Sequence, residues 1–213
     1  MSFPVGEVFL RFFMENTMFS VNTMSDADLL GVMVGVKTAA RMLRLAEGSL
    51  SVALNQSVSQ YEAQPKVSLK LLVAKELIRR SLLEPLRKRD ALSSPAMVRD
   101  FLRITLAERD YEVFMVLFLD SQNRVIECEE MFRGSLTQTS VYPREIVKRS
   151  LYYNAAGLIA AHNHPSGLAD PSRADEMLTA TLRRALALVD VNVLDHFVIG
   201  NGAVFSFAEK GLL

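Results

Sequence analysis

Cysteine is almost missing: Cys128 is the only one among 213 residues. A single cysteine excludes an intrachain disulfide framework, a zinc ribbon and an iron–sulfur cluster held by several thiolates of this chain. It accords with a reducing, cytoplasmic setting, and at a mid-strand position it reads as a small buried hydrophobe. Long apolar runs are missing too. No uncharged stretch approaches the roughly 20 residues that span a bilayer. The segment from Met1 to Phe19 carries Glu7, Arg11 and Glu15 and no basic leader, so neither a membrane anchor nor a signal peptide is expected. There is no excess of either charge: Lys+Arg and Asp+Glu both number 24. This speaks against a strongly basic nucleic-acid binder and against a polyacidic tail. Histidine is scarce. The three histidines are His162, His164 and His196, which confines any imidazole chemistry to the C-terminal half.

What is present is enough for a core. Half of the residues are apolar, 23% are charged and the mean hydropathy is +0.18, a balance that excludes wholesale disorder. The charge is unevenly distributed. Residues 1–90 hold 12 basic and 9 acidic side chains, and residues 91–213 hold 12 and 15. Texture changes near Leu92-Ser93-Ser94-Pro95. A helical region over residues 1–92 is expected to precede a second domain over residues 93–213.

In the first region, Ser25-Asp26-Ala27-Asp28 has the form of a helix start. The helix is expected to run to about Glu47, with Gly48 as its stop, weakened by Gly31 and Gly35. A second helix is expected from Val67 to about Leu83, ended by Pro85. Arg87-Lys88-Arg89 then reads as a solvated linker. In the second region, Ser94-Pro95 opens a helix to about Ala107. Val113 to Leu119 is an uninterrupted apolar run of buried-strand length. Asp120-Ser121-Gln122-Asn123 turns it into a return arm over Arg124–Phe132. Pro143 opens a helix to about Tyr153, and Gly157–Ala161 is a short buried strand. A helix from Ser172 to about Leu188 follows. Val191–Ile199 and Ala203–Phe207 form strands about the turn Gly200-Asn201-Gly202. This order predicts a mixed α/β layer fold.

The chemistry concentrates in residues 162–175. Residues two apart in an extended segment point to the same side, so His162 and His164 project together from the end of a strand and offer a bite for Zn²⁺. Pro165-Ser166-Gly167 turns the chain, and Asp175 falls in the first turn of the next helix, where its carboxylate can return as a third ligand. Two histidines and one aspartate leave a fourth tetrahedral position open, the pattern of a catalytic zinc site. Ser172-x-x-Asp175 also fits a plain capping box with no metal, and the two roles are compatible.

His162-x-His164, seven residues, Ser172, two residues and Asp175 together resemble the JAMM metallopeptidase motif. Phe118-Leu119-Asp120, Gly134-Ser135-Leu136, Pro143-Arg144-Glu145-Ile146, His162-Asn163-His164-Pro165-Ser166-Gly167 and Leu194-Asp195-His196 narrow the resemblance to RadC proteins, over about residues 94–213. The resemblance implies a mixed-sheet JAB/MPN domain of cytidine-deaminase-like layering, with one zinc per chain held by His162, His164 and Asp175. It also implies Glu112 as general base ahead of the first core strand and Ser172 as a stabiliser of the oxyanion. Glu112 suits that role by position, because partial burial at a strand edge favours a carboxyl that passes protons. Glu108, one helical turn earlier, is the competitor. His196 is either a partner of a metal ligand or a structural histidine at a strand edge.

The N-terminal region resembles RadC less closely. Ser25 to Leu30 looks like that family's early helix. Where longer members carry a glycine turn of a helix-hairpin-helix element, this chain reads Glu62-Ala63-Gln64-Pro65-Lys66-Val67 with no glycine. Such a turn presents backbone N–H groups to phosphate, so nucleic-acid binding by that route is weakened. Lys66, Lys70, Lys75, Arg79 and Arg80 read as a solvated helix face.

The expected function is zinc-dependent hydrolysis of a peptide or isopeptide bond in a protein or peptide substrate. The alternative is a DNA-repair-associated accessory protein that binds nucleic acid or a protein partner without hydrolysis. A nucleobase deaminase is rejected, because that chemistry wants His-x-Glu and a Cys-x-x-Cys. A complete residue set argues against an inactive binding module on the same fold.

Overall fold

In the computed structural model, which describes residues 24–48, 50–55, 65–107, 109–134 and 141–213, the apolar run Val113–Leu119 is strand β1, buried at every position. Its uninterrupted hydrophobicity follows from its place inside a five-stranded sheet of order β2-β1-β3-β4-β5. The others are β2 (Val125–Arg133), β3 (Gly157–Asn163), β4 (Asn192–Ile199) and β5 (Val204–Ser206). β1 pairs antiparallel with both β2 and β3, and β4 pairs antiparallel with β5. β3 and β4 are parallel, which requires a crossover.

The helices that precede the sheet are α1 (Asp26–Val34), α2 (Val36–Leu45), α3 (Leu50–Asn55), α4 (Pro65–Lys88) and α5 (Pro95–Leu106). After β2 comes α6 (Pro143–Tyr152), and the β3–β4 crossover is α7 (Arg173–Ala187). The chain forms two compact units, Met1–Lys75 and Glu76–Leu213, and α4 runs through the division. The first unit has its own small core around Leu30, Val34, Ala39, Met42 and Leu71.

The second unit buries both faces of its sheet. Val113, Met115, Leu117 and Leu119 of β1, with Ile159 and Ala161 of β3, pack with Val98, Phe101, Leu102 and Leu106 of α5. Phe114, Val116 and Phe118, with Leu158 and Ala160, pack with Ile146 of α6 and Leu182 and Leu186 of α7. The period-2 alternation of strands does the sorting. It also places His162 on the α7 face and Asn163 on the α5 face.

Several local expectations change. The predicted helix from Ser25 to Glu47 is two helices, because Gly35 takes φ +90° and its N–H closes the first one onto Gly31 O at 2.9 Å. The stop at Gly48 is present: φ is +83° and its N–H reaches back to Leu43 O at 2.8 Å. Pro85 does not end α4, which continues to Lys88. The last turn is held by what it gains. Leu86 is buried, Arg89 N–H donates to Pro85 O at 3.0 Å, and Lys88 reaches Glu84 at 2.5 Å. Arg87 and Lys88 therefore belong to a helix and not to a linker, and Arg87 pairs with Glu127 of β2 at 3.0 Å. The basic face of α4 is partly engaged too. Arg79 and Arg80 both grip Glu76 at 2.7 Å, and Lys70 Nζ donates to Met33 O at 2.7 Å. Ser94 makes no side-chain cap to α5.

Met1–Phe19, Glu62, Ala63, Gln64, Glu108 and the Ser135–Leu136 part of its motif lie outside the described residues. No helix among the described residues is long and apolar enough to cross a membrane.

Candidate metal centre

The centre forms where β3 ends against the N-terminus of α7. His162 is the last buried residue of β3 on the α7 face, because the strand runs two residues past the expected end at Ala161, to Asn163. Its ring stacks on Phe114, the residue opposite it on β1, with centroids 6.2 Å apart. His164 follows just after the strand. Its backbone N–H is held by Ile199 O at 2.9 Å, and its Nδ1 lies 2.9 Å from Leu168 O. A carbonyl only accepts, so Nδ1 carries the hydrogen and Nε2 of the neutral ring is left with its lone pair facing His162.

The loop that returns the chain is tightly specified. Gly167 takes φ +84° and its N–H bonds to His164 O at 2.9 Å. Its carbonyl accepts from Asn201 N–H at 2.8 Å. A Cβ at Gly200 would lie 2.5 Å from that same carbonyl, so the β4–β5 turn must present a glycine there.

Asp175 arrives from the first turn of α7, and the two readings of Ser172-x-x-Asp175 occur together. Ser172 N–H donates to Asp175 Oδ2 at 2.7 Å, Asp175 N–H donates to Ser172 Oγ at 3.2 Å, and Ser172 Oγ–H donates to Oδ2 at 2.6 Å. The capping box thus occupies Oδ2 and leaves Oδ1 toward His162, at 3.2 Å from its Nε2. His162 Nε2 and His164 Nε2 are 3.1 Å apart, and His164 Nε2 is 3.6 Å from Asp175 Oδ2. All three ligand atoms lie within 4.8 Å of one another. Ligands about 2.0–2.1 Å from a tetrahedral Zn²⁺ stand roughly 3.3 Å from each other, so the donor set fits that ion in type, and the His162–His164 and His162–Asp175 Oδ1 approaches fit it in spacing. Burial alone pushes the Asp175 carboxyl upward, but the positive charge the two adjoining imidazoles can take up, together with the Ser172 hydrogen bond, holds it far below the ordinary range. The Asp175 carboxylate beside it in turn favours the charged form of His164 and raises it above the usual histidine value.

Two further buried polar groups stand behind His162. His196 Nε2 lies 2.9 Å from His162 Nδ1, and Thr179 Oγ1 lies 2.6 Å from His196 Nδ1. His196 is fully buried, stacked on Phe207 at 4.9 Å, and burial pushes its pKa well below that of a free imidazole. A register shift puts it there. β4 carries an extra residue between the pairs Leu158–Val193 and Ile159–Asp195, so His196 falls opposite Ala160 and shares the face of His162. Gly157 makes room for the bulge: a Cβ there would meet the Leu194 side chain at 3.2 Å. Asp195 ties the same strand down by accepting from Ser206 Oγ, His196 N and Ala208 N at 2.6, 2.7 and 3.0 Å.

Glu112 lies half-buried one residue before β1, and its charge acts on His164. Its segment is fastened on two sides. Gly134 N–H, just after β2, donates to Glu112 O at 2.8 Å. Asn163, buried on the other face of β3, accepts Val113 N–H at 2.8 Å and donates to Tyr111 O at 3.0 Å and Arg109 O at 3.4 Å. Three consecutive residues, His162, Asn163 and His164, thereby carry the two imidazoles and the anchor of the Glu112 segment.

Residues 92–212 match the family model of the RadC-like JAB domain. The chain belongs to this family. Similar RadC-family relatives include the UPF0758 protein of Chromobacterium violaceum, 48% identical over 202 residues that cover 90% of each chain. That of Nitrosomonas eutropha is 50% identical over 201 residues, 89% of this chain and 90% of the relative. That of Leptothrix cholodnii is 62% identical over 138 residues, 65% of this chain and 62% of the relative. Their names assign no activity.

In this RadC-like chain, His162, His164 and Asp175 meet at one point, and Ser172 is bonded to the same carboxylate while its residue is exposed. Cys128 stands apart on β2, its Sγ 3.4 Å from Met115 Sδ, with burial pushing the thiol up to about 12. Sequence reasoning missed Thr179 and Asn163. Thr179 stands four residues after Asp175 on a helix, a spacing that shares a face. Asn163 gave one signal, a polar residue on the dry parity of a strand.

Proposed function

We propose that this RadC-like protein is a zinc-dependent hydrolase that cleaves peptide or isopeptide bonds. The observation that carries the reading is the convergence of His162 Nε2, His164 Nε2 and the Asp175 carboxylate at 3.1–3.6 Å from one another, beside a fastened Glu112. JAB domains often hold zinc, and three protein ligands are the number found in catalytic sites. His162, His164 and Asp175 would hold the ion, which when bound polarises a carbonyl and lowers the pKa of water to about 7.

The protein's own groups do the rest. The Glu112 carboxylate takes the proton of the attacking water and delivers it to the leaving nitrogen. The Ser172 hydroxyl turns from Asp175 Oδ2 to the substrate's carbonyl oxygen as charge builds there. Oδ2 keeps the Ser172 backbone N–H meanwhile. Asn163 and Gly134 hold the Glu112 segment, so little motion is needed at the moment of transfer.

The test uses zinc-loaded wild type and Glu112→Gln, each incubated with a proteome-derived peptide mixture and with lysine-ε-linked branched peptides. Mass spectrometry then scores new α-amino termini and freed lysine side chains. Wild type should generate products, and Glu112→Gln should retain zinc and generate none. Equal yield from both proteins, or no product from the zinc-loaded wild type on either mixture, would overturn the proposal.

A further inference from the structure

Behind the metal centre, four polar groups form a chain of short contacts: Asp175 O, Thr179 Oγ1, His196 and His162. The hydrogens in that chain can be assigned by elimination. Thr179 Oγ1 lies 2.6 Å from Asp175 O. The carbonyl has no hydrogen to give, so the single hydroxyl hydrogen of Thr179 points at it. Thr179 Oγ1 has then nothing left to donate, yet it lies 2.6 Å from His196 Nδ1. The hydrogen in that contact must belong to His196, which is a neutral ring protonated at Nδ1 with a bare Nε2. That bare nitrogen lies 2.9 Å from His162 Nδ1, and the hydrogen there must come from His162. A neutral His162 protonated at Nδ1 has its Nε2 lone pair free, and Nε2 is the atom aimed at His164 and Asp175.

We propose that Thr179 and His196 are positioning residues that fix the tautomer of His162 and so present its Nε2 lone pair to the metal. His162 and His164 reach the same tautomer by separate routes: His164 donates directly to a backbone carbonyl, whereas His162 donates to a histidine that must itself be oriented. The direction is set by the backbone of the same helix turn that supplies Asp175. Phe114, at 5.6 Å from the His196 ring, and Phe207, stacked at 4.9 Å, hold the relay in place, and burial excludes water that could reverse it. Partners of this kind are worth about 10–100-fold in metal affinity.

The inference rests on the metal reading, and the experiment separates the two. Long-range ¹H–¹⁵N NMR on the full chain, without added metal and with Zn²⁺, reads the His196 tautomer directly. The expected signature is Nδ1–H with an unprotonated Nε2, the form that free histidine in water disfavours. Zn²⁺ affinity is measured by competition with a chromophoric chelator for wild type, Thr179→Val, Thr179→Ser and His196→Phe. Thr179→Val keeps the shape and removes the acceptor, and should weaken zinc about tenfold, with His196→Phe costing about 10–100-fold. Thr179→Ser restores the hydroxyl and should bind within about twofold of wild type. An Nε2–H tautomer at His196, or wild-type zinc affinity in Thr179→Val, would overturn the relay while leaving the metal site intact. Should the wild type bind no Zn²⁺ at all, the metal reading fails and the relay's role falls with it.

Discussion

The two faces of strand β3 are built from the same alternation and end in opposite chemistry. On the α5 face, Ile159 and Ala161 lie in an aliphatic and aromatic core with Phe101, Leu102 and Leu106. On the α7 face, Leu158 and Ala160 begin an equally apolar row that finishes at His162, next to His196, Thr179 and Asp175. The dry face gives stability and the polar end gives the chemistry. The difference shows how a strand can do both: one register, with consecutive residues sent to different layers. Asn163 is the one polar residue of β3 on the dry face, and it links the two by gripping the segment that carries Glu112.

That division is open to direct attack. Asp175→Ala removes a proposed zinc ligand and the two hydrogen bonds its carboxylate accepts from Ser172, while the backbone N–H of residue 175 keeps its bond to Ser172 Oγ, and zinc affinity should fall by about three orders of magnitude or more while the fold persists. Chelator competition reads the affinity and circular dichroism the fold. A variant that binds zinc like wild type would remove Asp175 from the site. Phe101→Ala tests the other face. Phe101 is fully buried, so urea unfolding should show a loss of about 3–5 kcal/mol, with zinc affinity of the folded protein unchanged within about twofold. A large change in affinity would mean that the two faces are not separable.

Asn163→Ala probes the link. It should keep zinc and lose about a hundredfold in turnover, the cost of a misplaced catalytic group. Hydrogen exchange at Val113 should accelerate, because its N–H loses the Asn163 acceptor. Loss of zinc with unchanged exchange would contradict the assignment.

The smallest effect lies on α4, whose Arg79 guanidinium stands 6.0 Å from the Phe101 ring. Arg79 and Arg80 hold the Glu76 carboxyl down to about 2, from 4.5 for the free group. A lowered carboxylate pKa stabilises the fold above about pH 4.5, and that contribution is lost as the pH falls through about 2. These pairs are solvent-exposed enough for screening to limit them. Glu76→Gln should therefore cost under about 1 kcal/mol at pH 7 and only a small remainder of that at pH 2, by chemical denaturation at each pH.

Much of this was legible in the sequence, for identifiable reasons. Val113–Leu119 announced a strand buried on both faces, because only such a strand tolerates seven apolar residues in a row. The spacing of His162, His164, Ser172 and Asp175 placed three donors and a helix cap within reach of one another, and the structure brings them together. What stayed hidden depended on tertiary context. Gly35 breaks a helix where Pro85 does not, since Leu86 and Arg87 gain contacts that outweigh the missing proline N–H. The bulge at Leu194 could not be read from β4 alone, because it exists relative to Gly157 on the neighbouring strand. Without it, His196 would point to the other face. Asn163 lay unread between two histidines because its partners sit some fifty residues earlier.

The most direct measurement is the zinc content of the wild-type chain, purified without a histidine tag and analysed by inductively coupled plasma mass spectrometry. The account predicts close to one zinc per chain, with His162→Ala and Asp175→Ala folded and empty. A folded wild type that holds no zinc even after reconstitution would contradict it, and would return Ser172 and Asp175 to the role of a helix cap.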